Sequence, residues 1–494
     1  MGQINRRAFL KSTSGLLALA AMDMTNFNCA SSPQMVYVPS RPPRGANEKV
    51  NVAVIGLGGR GFGSHISAYG KQSNSQIVYV CDPDSAFAQK SIDKSRNSNG
   101  GTEPQFVQDM RRIFDDKSVD AVSIATCNHW HSLAAIWAMQ AGKDVYVEKP
   151  LSHNLSEGRR VVQAAQRTGA VVQCGTQMRS NAALIESMAY LRSGALGKVL
   201  VSRALCYKSR PSIGKVSGPQ QPPSTCDYNL WCGPSPMAPL MRSKLHYDWH
   251  WVWDQGNGDI GNQGIHEIDI ARWALGTDAA PKSCLCVGGR FGYVDDGQTY
   301  NTQVASFDYG TGQPKLVIEV RGLETKPFHS RGVENVVHCE KGIWVSPTYT
   351  SAVAYDPDGH VLKQFNGGGD ANHFGNFLEV VRSRKMADLH APAIEGHLSC
   401  VPLHMANISN RFGQSMAFST SRSDYFGSDA EGNEAMSRMV KHLADNKVPV
   451  ESTFFMMGKR LNFNAETETF RGDDQANRML TREYRKPFVV PDKV

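Results

Sequence analysis

No stretch of the 494-residue chain approaches the ~20 consecutive apolar residues that cross a bilayer as a helix, so no transmembrane segment is expected. Lysines and arginines outnumber acids 53 to 46 and leave a net charge of +7, yet they nowhere gather into a block. The excess serves solubility, and no nucleic-acid partner is expected. The 11 cysteines include no pair at zinc-ribbon spacing. Cys284 and Cys286, two apart, read as one face of a core strand. No internal repeat is present, which excludes solenoids and propellers. With 41% hydrophobic and 20% charged residues, the chain sits near the globular average and has length for two or three domains.

The N-terminus reads as an address. Basic residues Arg6-Arg7 and Lys11 flank Ala8-Phe9-Leu10, a short apolar stretch follows from Gly15 to Met22, and small residues such as Ala18 and Ala20 lie within it. The pattern resembles a twin-arginine signal, which implies export to the periplasm in a folded state. Cys29 is a candidate lipid-anchor cysteine, although Asn28 before it is larger than the residue usual there. Folding before export would leave most thiols reduced. Residues 1–40 are set aside as signal and linker, and Arg41-Pro42-Pro43-Arg44-Gly45 is turn-rich.

Val50 to Ile55 reads as a buried strand running straight into Gly56-Leu57-Gly58-Gly59-Arg60-Gly61. A lone glycine motif is weak. Here a strand precedes it, a helix pattern follows, and a second strand from Gln76 to Cys81 ends at Asp82. Such an acid contacts the adenosine ribose hydroxyls of a dinucleotide, and its charge disfavours a 2′-phosphate, so NAD is expected rather than NADP. The rhythm continues: Val119 to Ala125 ends at Thr126, Cys127, Asn128, His129 and His131, and Asp144 to Val147 ends at Glu148-Lys149-Pro150. Ligands of parallel sheets sit beyond the carboxyl ends of strands, which places Thr126, Asn128, His131, Glu148 and Lys149 beside the cofactor. Cys127, His129 and His131 together also suggest zinc, but their position in one strand-to-helix turn favours a cofactor-side cluster, and no metal is expected.

With Glu148-Lys149-Pro150, Gly175-Thr176-Gln177-Met178-Arg179 and the segment Gly258 to Trp273, the chain resembles the Gfo/Idh/MocA family over residues 50 to 420. That resemblance implies an α/β architecture: an N-terminal Rossmann domain, placed at 48–170, and a C-terminal α/β domain with a large, mostly antiparallel sheet, placed at 171–424. The second sheet often forms an oligomer contact in the family, so a homo-oligomer is expected. The run of alternating patterns over residues 283–347 agrees independently. Residues 425–494 read as an extension packed on the body.

The resemblance also implies roles. Lys149 lies by the nicotinamide and the substrate hydroxyl, and His266 acts as acid or base, chemistry suited to an imidazole beside an ammonium. Many relatives carry Asp four residues before this histidine; here it is Asn262, which cannot carry charge. Asp259 or Asp269 is left to supply it, unless Asp269 pairs with Arg272. Substrate contacts are expected from Gln177, Arg179, Tyr207, His250, Trp251, Asp259, Asn262 and His266. Trp249, Trp251 and Trp253 either pave a sugar site or form a core cluster. His373, Glu395, His397 and His404 read as packing residues. The irregular, Pro- and Gly-containing stretch from Arg203 to Asp248 reads as a functional loop. The expected activity is NAD-dependent oxidation of a secondary hydroxyl on a sugar, glycoside or cyclitol, with NAD held tightly because free NAD is scarce outside the cytoplasm. Some relatives use the same cofactor for glycoside cleavage by transient oxidation; these lack Glu-Lys-Pro, which this chain has. A non-catalytic sugar-binding homologue is the third alternative.

Overall fold

A computed structural model describes residues 42, 43, 45, 48–369, 371–419 and 422–494. The twin-arginine-like residues and Cys29 lie outside the described residues.

Six short strands form the first sheet: β1 (Val50–Ile55), β2 (Ser75–Cys81), β3 (Gln105–Val107), β4 (Ala121–Ile124), β5 (Asp144–Val147) and β6 (Val172–Cys174). Their order is β3-β2-β1-β4-β5-β6, and every pair is parallel. A parallel sheet is covered on both faces, which is why β1, β4 and β5 are nearly unbroken apolar runs with little exposure. Between β5 and β6 the helix Leu155–Thr168 starts at Asn154, whose side chain accepts from the Glu157 N–H at 3.0 Å, and stops at Gly169 in the left-handed region (φ 63°). The sheet runs past the boundary expected at 170, because β6 pairs with β5. It also recruits a helix from far along the chain. Phe374 and Phe377 of Ala371–Ser383 pack against Tyr69 and Tyr146, and Phe374 stacks on Tyr146 at 4.7 Å.

The second sheet is built from β7 (Val199–Tyr207), β8 (Ser283–Gly289), β9 (Thr302–Asp308), β10 (Lys315–Arg321), β11 (Val333–Cys339), β12 (Gly342–Thr348), β13 (Ser351–Tyr355), β14 (Val361–Asn366), β15 (Gln414–Ala417) and β16 (Phe454–Met457). Their order is β14-β13-β12-β11-β7-β10-β9-β8-β16-β15. Only β7 and β10 run parallel; the other neighbours are antiparallel, as expected. Further hairpin strands β17 (Leu461–Asn464) and β18 (Thr469–Phe470) follow, and β17 also pairs with β8. Helices Gly264–Leu275 and Ala393–Arg411 lie against this sheet and against each other.

The tail does more than pack on the body. Its strands β16 and β17 pair with the edge of β8, and its helix Ala430–Asp445 covers β9 and β10 through Ala435, Met436, Met439 and Leu443. Tail and sheet also share charge. Glu319 is fully buried on β10 and takes hydrogen bonds from Arg438 of the tail (2.5 Å), Arg321 (3.2 Å) and the Tyr207 hydroxyl (2.6 Å). A buried carboxylate needs that many donors to replace its lost hydration.

Candidate active site

The loop after β1 shows which glycines the fold itself requires. Gly56 has φ 93°, and a Cβ there would lie 2.4 Å from the Ala125 carbonyl oxygen. A Cβ on Gly61 would lie 1.8 Å from the Gly56 oxygen. Both substitutions are sterically forbidden. In contrast, a Cβ on Gly58 meets Phe87 at an ordinary 3.6 Å, and one on Gly59 meets nothing within 4 Å. The protein's own packing therefore does not require the middle glycines, and their lack of side chain leaves the loop backbone open to close approach by a ligand. Asp82, just past β2, accepts from the Leu57 N–H at 2.6 Å and the Asp84 N–H at 2.9 Å, and burial pushes its carboxyl up to about 6.

These elements border a cleft of about 360 Å³ whose wall includes Gly56, Gly58, Gly59, Arg60, Asp82, Thr126, Asn128, His131, Glu148 and Lys149. Of the residues expected at the cofactor, Leu57 and Gly61 are not in that wall; they hold the loop from behind. Both histidines of the zinc alternative are otherwise engaged. Both ring nitrogens of His131 face backbone oxygens, of Pro150 at 2.7 Å and Thr126 at 3.0 Å. His129 is held likewise by the oxygens of Trp231 at 3.0 Å and Gln255 at 3.3 Å.

At the end of β5, Glu148 is an anchor. Its carboxylate meets Arg60 Nε at 3.2 Å, His65 Nε2 at 3.1 Å and Gln177 Nε2 at 2.9 Å. Burial would raise its carboxyl, but the His65 hydrogen bond and the charges of Arg60 and Lys149 outweigh that and hold it far below the usual range. Lys149 Nζ donates to the Asn262 carbonyl oxygen at 2.6 Å. Burial lowers the lysine's pKa, and Glu148 partly opposes this.

Beyond Lys149 lies a second chamber of about 280 Å³. Arg60, Lys149, Tyr247 and Asn262 line both the cleft and the chamber. A short helix, Gly258–Asn262, ends at the junction, and Gly264–Leu275 carries His266 into the chamber wall. His266 is 9% exposed. Its Nδ1 is buried without a partner, which leaves Nε2 as the nitrogen presented to the chamber. Burial first, then the Lys149 charge, pushes its pKa well below the usual value, so the ring is neutral.

Several expected substrate residues are elsewhere. Arg179 is buried and spends its Nε on Asp269 at 2.8 and 2.9 Å. Asp269 is thereby taken, and Arg272 pairs instead with Glu395 and Ser399. Asp259 is also taken: Arg210 clasps both its oxygens at 2.8 and 3.0 Å. Neither acid replaces the charge missing at Asn262. Tyr207 faces Glu319 and the tail rather than either cavity. Trp251 lies beneath the Arg210 guanidinium, 5.5 Å from it, and lines neither. The three tryptophans divide: Trp249 lines the cleft and stacks on His250 at 3.6 Å, while Trp253 stands by Arg411. His250 lines the cleft, not the chamber. Gln177, Asn262 and His266 reach the chamber as expected. His373, His397 and His404 hold structural hydrogen bonds, to Ser180, Glu468 and Ser152.

Several residues of the chamber, Arg210 among them, carry no local signal in the sequence. Lys208 and Tyr247 line the chamber, and Glu267 lies behind it, its carboxyl pushed up to about 8 by burial. Tyr247 sits at φ 68°, ψ −50°, inside a γ-turn closed by the Asp248 N–H on the His246 oxygen at 2.9 Å. Strain of this kind is found where a side chain must be aimed, and the Tyr247 hydroxyl accepts from Arg210 at 2.9 Å.

A cleft at the carboxyl end of a parallel sheet, meeting at a strand-end lysine a chamber shared with the second domain, is the arrangement of an NAD-binding Rossmann domain joined to a second α/β domain. Residues 50–176 match the oxidoreductase family NAD-binding Rossmann fold and residues 183–326 its C-terminal alpha/beta domain, so the chain belongs to the Gfo/Idh/MocA family. It is 27% identical over 230 residues to inositol 2-dehydrogenase 2 of Saccharopolyspora erythraea, covering 46% of this chain and 55% of that one. It is 26% identical over 226 residues to a glycosyl hydrolase family 109 protein of Shewanella sp. strain MR-4, covering 41% and 46%. The chain thus aligns with about half the length of these curated relatives. Among solved structures, the WlbA dehydrogenase of Bordetella pertussis in complex with NADH and UDP-GlcNAcA superposes with TM-score 0.53 at 18% identity, over 73% of this chain and 97% of that one. Aldose-aldose oxidoreductase from Caulobacter crescentus gives 0.54 at 16%, over 73% and 98%. These likenesses carry the fold.

Proposed function

We propose that this protein oxidises a secondary hydroxyl of a sugar, glycoside or cyclitol, with NAD held tightly in the cleft along the glycine loop. The observation that carries the reading is Lys149, which lines both cavities beside Asn262 and within the chamber that His266 faces. NAD, when bound along the glycine loop, would supply the hydride acceptor. The chain's residues do the rest. Gly58, Gly59 and Asp82 hold the dinucleotide; Lys149 favours the developing alkoxide; neutral His266 takes the hydroxyl proton at Nε2. The Asn262 oxygen fixes the lysine, a role its backbone performs whatever the side chain carries.

The test is to purify the protein, dialyse it extensively, measure retained NAD, and add sugars, cyclitols and aryl glycosides while following reduced-nicotinamide absorbance. Growth of that band with a keto product is expected. Aglycone release with no net change in the band selects the second reading, a glycosidase working by transient oxidation.

Arg6-Arg7 and the apolar stretch after them support export; a reporter fused to residues 1–40 should leave the cytoplasm and lose that ability when both arginines become lysine. The tail helix covers part of the second sheet at β9 and β10, and light scattering of the purified chain tests the expected homo-oligomer.

A further inference from the structure

Four cationic side chains line the chamber, Arg60, Lys149, Lys208 and Arg210, and among the described residues no aspartate or glutamate does. Two of the four charges are answered from behind the wall. Glu148 meets Arg60 at 3.2 Å, and Asp259 clasps Arg210 at 2.8 and 3.0 Å. Lys149 is committed to the junction with the cleft. Lys208 is left. Its Nζ donates at 2.9 Å to the Gln263 side-chain oxygen, a neutral acceptor. Lys208 is exposed at the chamber's wall, and of its ammonium's three donors only one goes to Gln263, so a ligand can replace water at the others. The buried Glu267 nearby does not supply the missing charge, since burial favours its neutral form.

Neutral sugars present mostly hydroxyl donors and acceptors, which carboxylates in a wall would serve. This wall offers amides and cations instead. At about 280 Å³, the chamber is at the small end of ligand pockets, which run from about 300 Å³ upward, so it fits one sugar ring rather than a nucleotide-linked one.

We infer that the substrate is a monosaccharide acid, such as a hexuronate or aldonate, whose carboxylate lies against Lys208 and Arg210 while another carbon presents its hydroxyl to Lys149 and His266. This deepens the oxidoreductase reading and rests on it.

The test compares glucuronate, galacturonate and gluconate with glucose and galactose on the NAD-loaded protein, by calorimetric binding and by turnover. The acids should bind at least about tenfold more tightly than their neutral counterparts, the scale of one added charge-assisted hydrogen bond, and the advantage should shrink as salt rises. Lys208→Met should raise KM for the acids with little change in kcat and leave neutral sugars alone, and Lys208→Arg should restore most of the preference. Equal binding of acids and neutral sugars overturns the inference, as does a Lys208→Met effect of the same size on both. Sugar phosphates preferred over the acids would also overturn it. If no compound is oxidised, the oxidoreductase reading fails, while calorimetry with Lys208→Met still decides whether an acid sits at Lys208.

Discussion

The cleft and the chamber share four wall residues, yet they are built by different means. Main chain makes the cleft: strand ends and a glycine loop whose outer glycines are locked by contacts of 2.4 and 1.8 Å that a methyl group would create. Side chains make the chamber, and its arginines are held in place by carboxylates one layer back. The difference teaches where each half is vulnerable. Damage to the cleft should be steric and register as lost fold or cofactor. Damage to the chamber should be electrostatic and register as lost rate or affinity.

The largest effect is expected at the junction. Lys149→Met should lower turnover by about 10²–10⁴-fold, the range for a positioned proton-transfer group, while NAD still co-purifies. Absorbance assays and released-cofactor measurements check both halves of that statement. His266→Ala should cost at the low end of the same range, about 10²-fold, and flatten whichever pH limb the wild-type rate shows.

Glu148→Gln comes next and tests the layer behind. Removing one charge-bearing acceptor should cost about 1.5–3 kcal/mol in denaturant unfolding. The sign with pH follows from its depressed carboxyl. That stabilisation is complete above the ordinary glutamate value and fades as pH falls from about 4 toward the depressed native value, so the variant should show a smaller loss of stability in acid.

Gly61→Ala and Gly59→Ala separate fold from cofactor within one loop. The first should destabilise by about 1–3 kcal/mol. The second should stay within about 0.5 kcal/mol by thermal unfolding yet lose NAD on dialysis. An equal drop in stability for both would break the distinction between locked and open glycines. Smallest in rate, Asp259→Asn should loosen Arg210 and raise KM a few-fold, with a stability cost of about 1.5–3 kcal/mol because the pair it breaks is buried.

The cleft was legible because its chemistry is written in consecutive residues: a strand, a glycine loop, an acid at the next strand's end. The chamber was less so, because its side chains come from distant segments and compete for one another. Tyr207 and Lys208 show the limit. Successive side chains of extended chain alternate between faces, so a residue chosen one place too early points to Glu319 and the tail, while its neighbour lines the chamber. Arg179 was read as a ligand contact because nothing local shows that Asp269, 90 residues on, would claim it. Likewise the extended domain boundary past 170 follows from pairing of β6 that only the assembled sheet displays.

The tail's place beside β8 also orders events in time. Synthesis delivers β8 well before β16 and β17, and until those strands emerge the edge of β8 has no hydrogen-bonding neighbour on that side. Arg438, which caps the buried Glu319, arrives late as well. Completion of the second domain therefore waits for nearly the whole chain to leave the ribosome, so a protein stalled or clipped before residue 454 carries an open strand edge and is the form that chaperones and proteases should recognise first.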